Sequence, residues 1–549
     1  MIKKILNSRT KTVTFGAILL AFFGFLSRIL GLFRDNLLAN LLEKQQADIY
    51  FAAFRIPDFV YGIFITGGIV AAFLPVFANF YKKDKKEAQI LTNNVLSAFL
   101  IILLFVCSVL IILTPSLVNL IVPGFGIEQK KLVCVLTRIM FLSPVVLGLS
   151  SIFGSLLQYF NLFVALSLAP IFYNLGIIFG ILVLLPIFGM VGLAYGVIVG
   201  AILHFLIQIF PILKLGFRPS FFLNLHHPGL RKIFSLMLPR TIGIACSHIN
   251  LIVITSIAST LGVGSIRIFN FANNLQGVVI GLFGVSFSTA VFPVLSRLWA
   301  QGNKKEFLSN LYSVFSQILF WVIPCSVLAF VLRNQIVRVV LGTSVIGKGF
   351  FDWWDTKLTA GALGIFSLSL FASCLVLLIS RAFFALCDTK TPVKIAVFSM
   401  IFNIILCYLF VWLFGFPNIV SNFFRTFLSL KEVSNIRPLG LIVAFSFATI
   451  FQFFLLIFYL RKKISDFSFK RIWLFAKKIF YISFLTGIFT YSLLKIFAKL
   501  FNLSQSLGVF LQGSLAAIGG IVFYLTFAYL LKLKEIKAIF SSILVQFKK

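Results

Sequence analysis

Acidic residues are scarce in this chain. Its 549 residues include 14 Asp and Glu against 48 Lys and Arg, and only four His. Carboxylates this thinly spread argue against a metal-assisted glycosyl or phosphoryl transferase, which needs clustered acids. No Gly-rich loop runs into Lys-Ser/Thr and no His-Glu-x-x-His helix is present, so neither a nucleotide cradle nor a zinc-hydrolase site is encoded. The seven cysteines (Cys107, Cys134, Cys246, Cys325, Cys374, Cys387 and Cys407) lie in or beside apolar runs without metal-ligand spacing. No disulfide and no metal are expected. Also missing is any polar stretch long enough to fold as a water-soluble domain.

Apolar residues fill the space instead. They make up 60% of the chain, and the mean hydropathy is +1.08. A water-soluble protein of this length could not hide that much apolar surface. Continuous apolar runs of roughly 18–25 residues recur, each able to cross a ~30 Å hydrocarbon layer as a helix. They lack the period-two alternation of a membrane barrel. The segment Met1–Lys11 is basic, but the apolar stretch after it is long, contains arginine and has no small-x-small cleavage pattern. A retained first helix is expected rather than a signal peptide.

The sequence therefore predicts an all-α polytopic membrane protein with 14 transmembrane helices. They fall near 13–33, 49–80, 88–114, 131–158, 163–186, 188–213, 231–262, 265–297, 307–332, 358–387, 391–414, 437–460, 474–498 and 506–531. The longest interruptions, near 333–357 and 415–436, carry short amphipathic pieces. With both termini cytoplasmic, roughly 30 of the 48 basic residues collect on the cytoplasmic side, in loops such as "YKKDKKE", "QGNKKE" and "RKKISDFSFKR". The net charge of +34 thus reads as topology, and no nucleic-acid partner is expected.

Two stretches repeat. "AAFLPVFANFYKKDKKE" (71–87) is echoed by "STAVFPVLSRLWAQGNKKE" (288–306), with Pro75 answering Pro293; "IFYNLGIIFGILVLLPIFG" (171–189) is echoed by "MIFNIILCYLFVWLFG" (400–415). Two pseudo-symmetric six-helix lobes follow, 1–228 and 229–463, with helices 13 and 14 and a basic tail in 464–549. An even helix count gives both lobes one orientation, the plan of transporters whose halves rock to alternate access.

Charged residues inside such spans are expensive. An arginine at the hydrocarbon centre costs about 2.5–3.5 kcal/mol on insertion scales, so it must meet an anion, an acid or water. "LSRILGLFRDN" places Gly24, Arg28, Gly31 and Asp35 on one helical stripe, the glycines leaving room beside Arg28. Arg34 has three outlets: a bound anion, Asp35 or Asp48 as a partner, or the outer interface. The second span opens with Asp48, Arg55 and Asp58, of which the last two could neutralise each other. Arg240 follows Pro239 in the seventh span, and Arg267, Asn270, Asn274 and Gly277 share a face of the eighth, with Asn273 adjacent. Arg28, Arg34, Asp35, Asp48, Arg55, Arg240, Arg267, Asn270 and Asn274 are therefore the candidate substrate-binding residues. They suggest a cationic central cavity suited to a phosphate or pyrophosphate headgroup. Arg138 reads as a lone residue reaching the interface, and His204 and His248 as hydrogen-bonded packing residues. With no nucleotide site and no cofactor expected, transport would draw on membrane potential, a cation gradient or consumption of the product.

"LSRILGLFRD", "ADIYFAAFRIPDF", "LPVFANFYKKDKKEA", "APIFYNLGIIFG", "LPRTIGIACSHINL" and "SRAFFALCDTKTPVKIA" resemble the MurJ/MviN family of lipid II flippases, in order and across nearly the whole chain. The resemblance implies the multidrug/oligosaccharidyl-lipid/polysaccharide exporter fold. It also implies transfer of lipid II, the undecaprenyl-pyrophosphate-linked disaccharide-pentapeptide, from the inner to the outer leaflet of the bacterial cytoplasmic membrane for peptidoglycan synthesis. Helices 13 and 14 would form a groove for the lipid tail. The family's first-helix arginines and aspartate match Arg28, Arg34 and Asp35, and its second-helix acid and base match Asp48 and Arg55. Two family positions differ: an arginine and an acid of the second helix are Tyr61 and Thr66, and an Asp-Arg of the eighth is Asn273-Asn274. Arg240 and Arg267 are the candidates to compensate. The alternatives are a polysaccharide-lipid (O-antigen type) flippase or drug exporter of the same superfamily, a polyprenyl-phosphate transferase, and a non-catalytic scaffold. A drug exporter for cations would need acids in its cavity, and a transferase would need essential carboxylates.

Overall fold

The expected spans that carry Arg28, Arg55 and Arg240, with Arg34 and Asp48 just outside their bounds, are helical, but only one runs close to its expected bounds. In the computed structural model, residues 13–344, 349–503, 505–533 and 535–536 are described; the side chains of residues 13–18, 21, 65–68, 70, 71, 238–240 and 242 lie outside that description, Arg240 and Thr66 among them. The first helix continues past the expected end to cover Val13–Leu41. The second expected span breaks into Lys44–Ala53, Arg55–Tyr61, a π-helical stretch Gly62–Ile69 and Val70–Lys83. The seventh is Pro228–Ser259. Among the described residues, eleven further helices, from Lys85–Ile121 to Ser506–Leu530, are long and apolar enough to cross a membrane. No strand occurs among the described residues.

Helix ends sit where the sequence supplies caps. Asp84, inside the basic loop "YKKDKKE", accepts the Lys86 amide at 2.9 Å and starts Lys85–Ile121. Asn303, in the echoing loop "QGNKKE", accepts the Glu306 amide at 3.1 Å and starts Lys304–Val331. Each supplies an acceptor to an otherwise unpaired first-turn donor. The expected span 131–158 is two helices, Ile127–Met140 and Leu142–Tyr159, joined at Phe141. Pro144 lacks the N–H that would continue the ladder to the Met140 carbonyl.

The internal repeat extends to helix irregularity. Of the two other π-helical stretches among the described residues, Gly180–Leu184 and Ile280–Val285, the latter precedes the Pro293 helix Ser286–Ala300. Gly62 to Ile280 is an offset of 218, the same as Pro75 to Pro293.

Two compact units divide the chain: residues 1–267 with 345–350, and residues 268–344 with 351–549. In the first, Val13–Leu41 lies along Phe163–Phe179, and Pro228–Ser259 lies against the π-helical stretch Gly62–Ile69. Phe163–Phe179 and Met190–Lys214 approach at small residues; a Cβ on Gly180 would stand 2.4 Å from the Gly196 Cα. Without a hydrophobic drive between helices in lipid, such close backbone packing holds the pair. In the second unit the core is aromatic and aliphatic, with Phe307, Phe315, Leu378, Phe383 and Leu456 buried together. The last two helices, Phe469–Leu500 and Ser506–Leu530, pack on each other, and the Tyr524 hydroxyl donates to the Phe320 carbonyl at 2.6 Å.

Candidate functional site

Arg34 and Arg55 of the first unit are held by specific partners. Arg34 donates to Asp35 Oδ1 through Nη2 at 2.8 Å and Nε at 3.1 Å, so of its three outlets the acidic partner is the one it takes. Its Nη1 reaches Asn174 Oδ1 at 3.2 Å, and the Asn174 amide donates onward to Ser27 Oγ and to the Ser27 and Pro170 carbonyls. Asp35 is 2% exposed. A buried carboxylate is tolerable there because a guanidinium fork meets it.

Asp48 is also buried, and its partners are backbone amides. Its two oxygens accept Gly264 N at 2.6 Å and Arg267 N at 2.7 Å, the first-turn donors of the helix beginning at Ser265. Gly264 has φ +92°, a left-handed conformation that glycine adopts at little cost, and it carries no side chain with which to cap the helix itself. An acid from 216 residues away fills that role, at the positive end of the helix dipole. The Arg267 side chain is 0% exposed and folds back so that Nε is 3.6 Å from where a Gly264 Cβ would stand.

Arg55 ties the second span to the seventh: its Nε donates to Thr255 Oγ1 at 2.7 Å. Two turns on, Gly62 leaves the space that His248 occupies; a Cβ there would fall 2.0 Å from His248 Nε2. His204 shares a 2.8 Å hydrogen bond with Ser150 Oγ, so both histidines are packing residues as expected. Arg138 is exposed, with Nε donating to the Ile111 carbonyl at 3.3 Å.

Arg28 is placed differently. It is half-buried, and Cβ atoms added at Gly24 or Gly31 on its stripe would meet nothing within 4 Å. Open space therefore lies beside both glycines. Deeper in the unit, a cavity of about 210 Å³ is lined by Asp58, Tyr61, Ser143, Tyr173 and His204 among others, which places Tyr61 beside an acid. In the second unit, Asn270 is buried and Asn274 half-buried, and the Gln276 amide donates to Asn273 Oδ1 at 3.0 Å. Gly277, on the same face, has open space beside it.

Sequence reasoning missed Asn174, Asp58 and Tyr173 as site residues. Asn174 had a signal, since its echo in the repeat is Asn403, also buried; a polar side chain at matched depths of two spans needs a partner.

Lipid-length helices that hold charged side chains inside the bundle define a polytopic membrane protein. Among solved structures, an inward-facing multidrug-resistance transporter of the MATE family and MOP superfamily matches with TM-score 0.63 at 15% identity, covering 80% of this chain and 96% of that one; this shows the fold alone. The lipid II flippase MurJ in an inward closed conformation matches with TM-score 0.73 at 26% identity, over 94% of this chain and 99% of that one. The family model described as lipid II flippase MurJ matches residues 38–511, and the chain belongs to that family. A probable lipid II flippase MurJ of Buchnera aphidicola subsp. Acyrthosiphon pisum is 31% identical over 389 residues, covering 69% of this chain and 74% of that one. The lipid II flippase MurJ of Burkholderia cenocepacia is 30% identical over 403 residues, 72% of this chain and 77% of that one.

Proposed function

We propose that this protein moves lipid II from the inner to the outer leaflet of a bacterial cytoplasmic membrane by alternating access, with both termini cytoplasmic. The family match over residues 38–511 carries the reading. The geometry supports a division of labour among the candidate residues. Arg28, half-buried on the stripe of Gly24 and Gly31, meets the pyrophosphate; Arg240, Asn270 and Asn274 contribute polar contacts to the sugars and phosphates. Arg34, Asp35, Asp48, Arg55 and Arg267 hold the frame, because their hydrogen bonds go to protein groups. The undecaprenyl tail stays in lipid beside helices 13 and 14. Membrane potential, a cation gradient or consumption of the product supplies the drive.

The test is complementation of a flippase-depleted bacterium with a leaflet-resolved lipid II assay. Wild type restores outer-leaflet lipid II, and Arg28→Ala at equal expression does not. Unchanged outer-leaflet lipid II in depleted cells whether or not this protein is present would remove the reading.

A further inference from the structure

The 415–436 connection of the second unit, with Phe414 and Arg437 at its ends, frames a half-open cavity of about 520 Å³, within the range of small-ligand sites. Its polar lining is Asn422, Arg425, Lys431, Ser434, Asn435 and Arg437, and no carboxylate lines it. Three cations converging without an acid repel one another, and an anion relieves that repulsion. We propose that this cavity binds the phosphate-bearing headgroup of a membrane lipid, at a site separate from the transport residues named above.

The loop is built to present these groups. The Arg425 guanidinium is fixed by donating to the Val433 carbonyl and, at 3.0 Å through Nη2, to the Ser434 carbonyl. A guanidinium has five donors, so others of its fork stay available. Arg437 lies against Gly415, where a Cβ would stand 2.9 Å from its Nη2. Two planar forks and an ammonium suit the oxygens of a phosphate, and the amides of Asn422 and Asn435 suit headgroup hydroxyls.

The surroundings select a lipid over a soluble anion. The short helix Ile419–Phe427 is capped by Asn418, which accepts the Ser421 amide at 2.8 Å. Along it Ile419, Phe423 and Phe427 form an exposed stripe at i, i+4 and i+8, with Ile419 89% exposed. Trp412 and Phe416, in edge-to-face contact, are exposed at the adjoining end of the Lys390–Leu413 span. A short amphipathic helix with aromatic neighbours at a span's end lies in the membrane interface. Phe416 belongs to the cavity wall, so the cations sit at headgroup depth. In the orientation proposed above this is the outer leaflet; the site itself does not depend on the identity of the transported lipid.

Native mass spectrometry of the purified full chain in detergent tests this with dioctanoyl phosphatidylglycerol, dioctanoylglycerol and inorganic phosphate as probes. Wild type binds the phosphatidylglycerol, and the other two bind at least about tenfold more weakly. Lys431→Gln, at an exposed position, weakens phosphatidylglycerol binding, and the Lys431→Gln/Arg437→Gln pair abolishes it at an unchanged unfolding temperature. Lys304→Gln/Lys305→Gln, which removes the same charge elsewhere in the unit, leaves it intact. Equal binding by wild type and Lys431→Gln, equal binding of dioctanoylglycerol, or inorganic phosphate binding as tightly as the lipid overturns the proposal.

Discussion

The Asp48 carboxylate accepts the backbone amide of Arg267 at 2.7 Å, across 219 residues of chain. A residue that the sequence places among substrate ligands thereby serves as the cap of the eighth span. The arginine it meets contributes its main chain to this bond.

Removing that acceptor leaves two buried backbone donors, Gly264 N and Arg267 N, without it. Asp48→Ala is expected to lower unfolding stability by about 1–3 kcal/mol. Asp48→Asn, which keeps one acceptor oxygen, should lose less. Thermal unfolding of the detergent-purified protein measures both, and equal loss would contradict the capping role.

The Arg34–Asp35 pair is tested by a double-mutant cycle. Asp35→Asn strands a guanidinium and should destabilise more than Arg34→Gln/Asp35→Asn, which removes both charges. A coupling energy of about 0.5–3 kcal/mol is expected for groups in direct contact. Strict additivity would place the two side chains apart in the working protein.

Gly62→Ala drives a methyl group into the His248 ring. Overpacking of this kind costs about 1–3 kcal/mol. Expression and complementation should fall, and Gly62→Ala/His248→Ala should recover both. Failure of the second change to rescue would put the steric conflict elsewhere.

Asp388, in the loop before Lys390–Leu413, accepts the Thr391 amide at 3.0 Å, its hydroxyl at 2.8 Å and Lys463 Nζ at 2.5 Å. Partial burial favours the neutral acid, but Lys463 and Thr391 outweigh it and hold the carboxyl below the ordinary 3.8. A carboxylate depressed by folding stabilises above its unfolded value and loses that contribution as pH falls through its folded value. The stability gap between wild type and Asp388→Asn should therefore stay constant from pH 7 to about 5 and close below about 4. A gap that widens on acidification would reverse the sign.

Length and apolarity were enough to read most spans, because each crossing must satisfy its own backbone and leaves a continuous run. The expected span 49–80 is interrupted at Phe54 and by the π-helical stretch Gly62–Ile69, and 131–158 lies in one span-length run, Ile127–Tyr159, with a turn at Phe141; there local geometry rather than hydropathy decides. For the site, one-helix reasoning found Arg28, Arg34 and Asp48 by their insertion cost. It could not find their partners: Asn174 lies 140 residues from Arg34, and Thr255 lies 200 from Arg55. A buried charge announces itself in one segment, whereas the group that satisfies it is fixed only when segments pack.

The wide turn at Gly62–Ile69 has a consequence for angular phase. Successive residues of an α-helix are rotated by 100°, so each additional residue taken up in a π turn re-aims everything beyond it by roughly that angle. Azimuths drawn by continuous projection from Arg55 therefore fail beyond Ile69, and those from Arg267 fail beyond Val285. Phe73 and Phe77 follow the first stretch and Val291 and Leu295 the second, and all four are buried.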